Sequence, residues 1–275
     1  MACDIELHIP VTTDGDLPVE LISQQCELSK GRIKQVMQCG AVWITRQQNT
    51  RRLRRAKASL QTGDEIHMYY DADTIDSVPP APTLIADEGD YSVWYKSCGM
   101  YTQGTKWGDH HTVGRYAEQN LKPERSAKIV HRLDRHTSGL ILLAHTKQAA
   151  SLLSELFRDR KVEKHYWAVV NGKFGELNSR TTITDPVDYK HATSHVTVVG
   201  RSDSYSLLDA EIETGRKHQV RLHLSENGFP IVGDRMFGGE EGPDLQLCSV
   251  LLKFVCPISG EQRLYETPMD MRPSL

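Results

Sequence analysis

The sequence predicts an α+β protein, with a small basic α/β domain followed by a larger α+β domain built around a mixed sheet. Three observations carry that reading. Composition breaks at Val78-Pro79-Pro80-Ala81-Pro82-Thr83, where prolines are too dense for a helix or a central strand to continue. Before the break, the span 28–63 holds nine basic residues and no acidic one, in a chain whose net charge is -3. After it, strand-like and helix-like stretches follow one another without a regular βαβ rhythm, which points to α+β around a mixed sheet. The expected organisation is a small basic domain with an N-terminal extension over 1–76, a linker over 77–83 and a larger domain over 84–275.

In the first domain, Ser29 is placed to cap a short basic helix in which Ile33, Val36 and Met37 recur at near-helical spacing. Gly40 stops it. Ala41-Val42-Trp43-Ile44 reads as a buried strand, an arginine-rich turn follows, and Gly63-Asp64 announces a closing strand over Glu65-Ile66-His67-Met68-Tyr69. The basic residues are Lys30, Arg32, Lys34, Arg46, Arg51, Arg52, Arg54, Arg55 and Lys57. Such a block in an otherwise acidic chain is the footprint of a polyanion-binding element, against the plainer reading of a solvated charged face. Over 17–70 the order of these features resembles the small RNA-binding domain named after the fourth ribosomal small-subunit protein. That resemblance implies RNA contacts through Lys30, Arg32, Lys34, Arg51, Arg52, Arg54 and Arg55.

In the second domain, Tyr91-Ser92-Val93-Trp94-Tyr95 and the run 138–144 read as buried strands. Thr146 is a cap for a helix whose Ala149, Leu152, Leu153, Leu156 and Phe157 form one broad apolar face. Strands are expected over 162–170 and 206–212. From His218 to Asn227 the periodicity leaves helix and strand open, since Val220, Leu222 and Leu224 alternate while Gly228 has the place of a helix stop.

Composition excludes several classes. At 275 residues, 39% hydrophobic and 25% charged, the chain has globular proportions, and no apolar run approaches the roughly eighteen residues of a membrane span. Acidic residues stand where a secretory signal carries basic ones, so a cytoplasmic, membrane-free protein is expected. The six cysteines, Cys3 among them, form no C-x-x-C pair and read as reduced thiols. Neither His110-His111 nor His218 with His223 has a partner at a metal-ligand spacing, so no metal is expected. A monomer is expected.

The chemistry concentrates in His131-Arg132-Leu133-Asp134-Arg135-His136-Thr137-Ser138-Gly139-Leu140. A carboxylate between two arginines, on a loop entering a hydrophobic strand, is accessible and rigidly held. Alone, such a cluster is ordinarily a structural salt bridge. Here the segment is similar almost letter for letter to the H-R-L-D-x-x-T-S-G-L signature of the RluA family of pseudouridine synthases. The likeness continues through Lys164-His165-Tyr166, Thr214-Gly215-Arg216-Lys217-His218-Gln219-Val220-Arg221 and Pro230-Ile231-Val232-Gly233-Asp234, covering nearly all of 87–268.

The resemblance implies a mixed, largely antiparallel sheet and isomerisation of uridine in structured RNA, ribosomal or transfer, without a cofactor. By it Asp134 is the nucleophile, Tyr166 stacks on the target base and Arg221 pairs with the Asp134 carboxylate. Arg132, Arg135, Arg216, Lys217 and His218 are assigned to RNA backbone or site-wall contacts. The family usually has Lys-Pro where Lys96-Ser97 stands and an acidic residue in place of His136. Two other readings compete: a nucleoside-type glycosidase, which needs paired carboxylates, and a non-catalytic RNA-binding or assembly protein resting on the basic domain alone.

Overall fold

Alternating burial shapes the N-terminal part of the computed structural model, which describes residues 4–239 and 244–275. Its elements are β1 (Ile5–Pro10), α1 (Pro18–Ser23), α2 (Lys30–Gln38), β2 (Val42–Arg46), β3 (Asn49–Arg52), β4 (Glu65–Tyr70) and α3 (Ala72–Asp76). The strands form an antiparallel sheet in the order β1-β4-β2-β3. Ile66 and Met68 of β4 are fully buried in one cluster with Ile33, Val36 and Met37 of α2. By the two-residue period of a strand, Glu65, His67 and Tyr69 lie on the opposite face. Each of those buried side chains contributes about 1.5–3 kcal/mol of hydrophobic stabilisation before chain entropy is counted.

Local chemistry sets the boundaries. Ser29 caps α2 by accepting the Arg32 N–H at 3.2 Å, and Asp71 caps α3 by accepting from Thr74 N at 3.1 Å. Gln47 and Gln48, both at positive φ, make the tight turn joining β2 to β3. The arginine-rich stretch expected as a turn therefore contains an edge strand, with Arg52 opposite Trp43. The N-terminal extension also supplies a strand, β1, pairing residue for residue with β4.

The chain divides at Val78, and Gln103–Tyr116 clusters with the N-terminal unit. That excursion has no counterpart in the domain limits expected from sequence. Arg54 and Arg52 both pair with Asp109, and the Trp43 indole donates to the Lys106 carbonyl at 3.1 Å. These contacts hold the segment to the small sheet.

The second unit comprises Pro79–Thr102 and Ala117–Leu275. Its elements begin with β5 (Thr83–Asp87) and β6 (Tyr91–Lys96); α4 (Val113–Asn120) straddles the division. Next come β7 (Lys128–Ile129), β8 (Ser138–Ala144), α5 (Lys147–Arg158), β9 (Glu163–Asn171), β10 (Arg180–Ile183), β11 (Ser194–Arg201) and β12 (Tyr205–Ile212). The last are α6 (Gln219–Glu226), β13 (Leu247–Val255) and β14 (Gln262–Glu266). The sheet runs β10-β11-β12-β9-β13-β8-β6-β5, with β14 on β13 and β7 on β8. Among the described residues only the β8–β13 pair is parallel, so the fold is α+β on a mixed, largely antiparallel sheet.

β8 is buried along its whole length, which explains the unbroken apolar run after the Asp134 motif. Gly139 sits at φ +108, where a Cβ would meet the Ser249 backbone at 2.3 Å. Only glycine lets β8 approach β13 so closely. Thr146 caps α5 by accepting from Ala149 N at 3.0 Å.

No helix among the described residues is long and apolar enough to cross a membrane. Cys26, Cys39, Cys98, Cys248 and Cys256 are free thiols. Cys3 lies outside the described residues.

Candidate active site

Asp134 stands on the loop that enters β8, and three fixed groups hold that loop. His131 is half-buried, stacks on Phe157 with ring centroids 4.1 Å apart, and accepts the Leu142 N–H at 2.9 Å. Burial pulls its pKa down to about 3, so it is a neutral structural acceptor. Thr102 Oγ1 donates to the Leu133 carbonyl at 2.8 Å and accepts the Leu133 N–H at 3.2 Å. Lys96, wholly buried, donates to the carbonyls of Ser97, Met100 and Arg135 at 3.2, 2.9 and 3.0 Å. Both neighbours of Asp134 are thereby pinned through their carbonyls.

Opposite stands α6, which resolves the helix-or-strand question left open for 218–227. Gln219 explains the helix. Its side-chain oxygen accepts from Thr214 Oγ1 at 2.6 Å and Arg216 N at 3.1 Å, while its amide donates to Thr193 O and Ser194 Oγ at 2.9 and 3.0 Å. A buried amide satisfied this fully fixes the 214–218 loop against β11. His218, in the left-handed region at φ 59, begins the helix.

From the first turn of α6, Arg221 reaches two carboxylates. Its Nε and one terminal nitrogen donate to Asp234 at 2.7 and 2.8 Å, and its other terminal nitrogen lies 3.6 Å from Asp134 Oδ2. His218 Nε2 is also 3.6 Å from Asp134, at Oδ1. Asp234 further accepts the backbone N–H of Met236 and Phe237 at 3.1 and 3.2 Å. Burial acts against the charge of both Arg221 and Asp234. Their mutual hydrogen bonds outweigh it, raising the Arg221 pKa and lowering that of Asp234. The His218 pKa is lowered by burial, with Asp134 opposing.

Tyr166, on β9 opposite Ala210 and Ser249, completes the wall. Burial and then the Asp134 carboxylate push its phenol pKa up, so the ring is neutral. Asp134, Tyr166 and Arg221 line one cleft of about 230 Å³, together with Arg132, Thr137, Gly215, Arg216, Lys217 and His218.

Not every candidate residue gathers there. Arg135 is exposed and turns away, its Nε donating to Gly99 O at 3.2 Å and its guanidinium 4.7 Å from the Tyr101 ring. Arg216 lines the cleft but anchors its Nε on His191 O at 3.1 Å. In the N-terminal unit, Lys30 pairs with Glu20, Arg32 with Asp76, and Arg52 and Arg54 with Asp109. Each carboxylate partner lies outside the basic block. Much of that block's charge is neutralised within its own unit, while Lys34, Arg51 and Arg55 are exposed. Sequence reasoning did not assign roles to Lys96, Thr102, Gln219 or Asp234. For Asp234 a signal existed, since Gly233-Asp234 closes one of the motif runs that carry the family likeness.

A mixed sheet thus carries a loop-borne carboxylate, a clamped arginine and an aromatic in one cleft. Residues 90–226 match the RNA pseudouridylate synthase family, and the chain belongs to that family. A relative in Chloroflexus aurantiacus described as an uncharacterized RNA pseudouridine synthase is 34% identical over 176 residues, covering 57% of this chain and 54% of its own. The ribosomal large subunit pseudouridine synthase D of Xanthomonas campestris is 32% identical over 176 residues, with 53% and 52% covered. The chain spans about half the length of these curated relatives. The solved structure of human RNA pseudouridylate synthase domain containing 1 shares the fold, at TM-score 0.59 and 22% identity over 72% of this chain and 89% of that one.

Proposed function

We propose that this protein isomerises uridine to pseudouridine in structured RNA, with Asp134 as the attacking carboxylate. The observation that carries the proposal is the Asp134–Arg221–Asp234 arrangement beside Tyr166. Isomerisation breaks a glycosidic bond, turns the uracil and makes a carbon–carbon bond, so the attacking carboxylate must stay ionised. Arg221 and His218, each 3.6 Å from it, favour that state when they carry charge. Tyr166 offers a face for a base taken out of its stack, offsetting part of the lost stacking energy. Arg132, Arg216 and Lys217 line the same cleft and are the cations offered to the flanking phosphates.

The reaction conserves the atoms of the substrate and draws on no cofactor. The names of the relatives favour ribosomal RNA of the large subunit over transfer RNA, and the proposed place of action is the cytoplasm, as a monomer. The division 1–76, 77–83 and 84–275 is proposed as a functional one, RNA capture before catalysis, supported by exposed Lys34, Arg51 and Arg55 in the first part. A glycosidase is disfavoured because the neighbouring carboxylate, Asp234, is 1% exposed and commits both oxygens to Arg221. Pseudouridine mapping of total RNA from cells with and without the protein tests the proposal. Sites lost with the protein and restored by wild type but not by Asp134→Ala support it; identical maps overturn it.

A further inference from the structure

The outer face of the small sheet brings a histidine of β1 beside a glutamate and a histidine of β4, residues far apart in the sequence. His8 on β1 and His67 on β4 are direct cross-strand partners, with their Nδ1 atoms 2.7 Å apart. Glu65, two residues before His67, shares that face, and one ligand atom from each of the three lies within 4.8 Å of the others.

The hydrogens explain what this arrangement is poised to do. His8 Nε2 faces Glu6 Oε1 at 3.4 Å. A carboxylate only accepts, so that nitrogen carries the hydrogen and His8 Nδ1 presents a lone pair. His67 Nδ1 then donates to it, and His67 Nε2 accepts from Thr45 Oγ1 at 2.8 Å. One hydrogen thus lies between two imidazole nitrogens. Thr45 has a second partner, Thr50 Oγ1 at 2.7 Å. By donating there instead, Thr45 becomes an acceptor for His67 Nε2–H and frees the second Nδ1 lone pair.

We propose that His8, His67 and Glu65 form a binding site for a divalent transition metal, zinc being the best match to two imidazoles and one carboxylate. The ion replaces the hydrogen between the two Nδ1 atoms. No net proton leaves, because the His67 hydrogen moves from Nδ1 to Nε2 and Thr45 turns its own toward Thr50. Tetrahedral zinc with bonds of about 2.0–2.1 Å holds its nitrogens about 3.3 Å apart, so the rings open by about 0.6 Å from their present separation. Thr45 and Glu6 act as the oxygen acceptors that fix the ring tautomers. Lys106 pairs with Glu6 at 2.8 Å, leaving the Glu65 charge for the cation. The ion clips β1, an edge strand paired to β4 alone among the described residues, onto the sheet. The site is independent of the isomerase reading.

The test uses the full chain, stripped with a chelator and titrated with zinc by calorimetry in two buffers of different ionisation heat. One equivalent binds with the same heat in both buffers, since no net proton is released, and His8→Ala and Glu65→Gln, both at exposed positions, each weaken binding at least about tenfold. Cobalt in place of zinc gives a visible spectrum without thiolate charge-transfer bands, which separates this site from cysteine ligation. Undiminished affinity in His8→Ala, thiolate bands in the cobalt spectrum, or no binding at about 0.1 mM zinc each overturns the proposal.

Discussion

Arg221 turns its bidentate edge to Asp234, at 2.7 and 2.8 Å, and offers Asp134 only its remaining nitrogen, at 3.6 Å. The strong pair is thus the one remote from the proposed chemistry. Asp234 fixes the guanidinium plane and Asp134 meets a cation already oriented, an instance of a preorganised site supported from behind. Asp234→Asn keeps size while removing the clamp's charge. The single-turnover rate on saturating RNA is expected to fall about tenfold or more, with RNA affinity within about threefold of wild type. An unchanged rate would remove Asp234 from the positioning role. Arg221→Met leaves a buried carboxylate without its countercharge and is expected to cost about 3–5 kcal/mol of stability, so its kinetics must be read beside its denaturation curve.

Asp134→Asn separates binding from chemistry. The side chain is a quarter exposed and the loop is held by backbone contacts from Lys96 and Thr102, so the fold should survive the change. Pseudouridine formation is expected to vanish while RNA affinity holds. Turnover by a preparation free of wild-type enzyme would overturn the nucleophile assignment. A non-catalytic RNA-binding protein would show no functional difference at all.

The legibility of this site in the sequence followed contact range. Asp134 could be found because its motif is contiguous. Asp234 was marked by the motif run it closes, but its clamp was not, since nothing in the spacing to Arg221 says that the two side chains face each other. The wholly buried state of Lys96 is equally silent, because lysine is ordinarily a surface residue and the carbonyl that ties it to the Asp134 loop, that of Arg135, is 39 residues away. The helix α6 was hidden by the alternation of Val220, Leu222 and Leu224, and what decides it is the tertiary hydrogen bonding of Gln219. The small sheet was readable from Ser29, Gly40 and the 65–69 alternation, but β1, the 103–116 excursion and the His8–His67 pair all depend on partners distant in sequence.

Lys96 predicts a pH dependence of stability. Burial pulls its pKa from the ordinary 10.5 to about 7. Between those values the unfolded chain holds a proton that the folded chain has released, so this group's contribution to stability rises with pH through the window. Below about pH 7 the burial penalty applies in full. The three carbonyls favour the ammonium form, so the rise stays under the limit of about 1.4 kcal/mol per pH unit. Urea unfolding of wild type and Lys96→Met at pH 6.5, 7.5 and 8.5, values of about the span in question, should show wild-type stability gaining on the variant as pH rises. Parallel curves would mean that Lys96 keeps its proton throughout.

The basic block gives the last test, because the structure divides it into two sets with opposite expectations. Arg52 and Arg54 share Asp109, Arg52 also stacks 4.2 Å from the Trp43 ring, and Arg32 takes both oxygens of Asp76. Neutralising Arg52 leaves a half-buried ring and a carboxylate short of a partner, so Arg52→Gln should lower the melting temperature and change the salt dependence of RNA binding little. Lys34, Arg51 and Arg55 are exposed, where a charge is free to meet phosphate. The triple change of these three to Gln should leave the melting temperature near wild type. It should also flatten the log–log salt slope of RNA binding by about 0.7–0.9 for each phosphate no longer neutralised, roughly two to three units if all three engage. Truncation at residue 76 is a poorer probe, since it strips Gln103–Tyr116 of the unit it packs with. A triple variant that binds RNA with the wild-type affinity and slope would show that the exposed charges merely solvate this face.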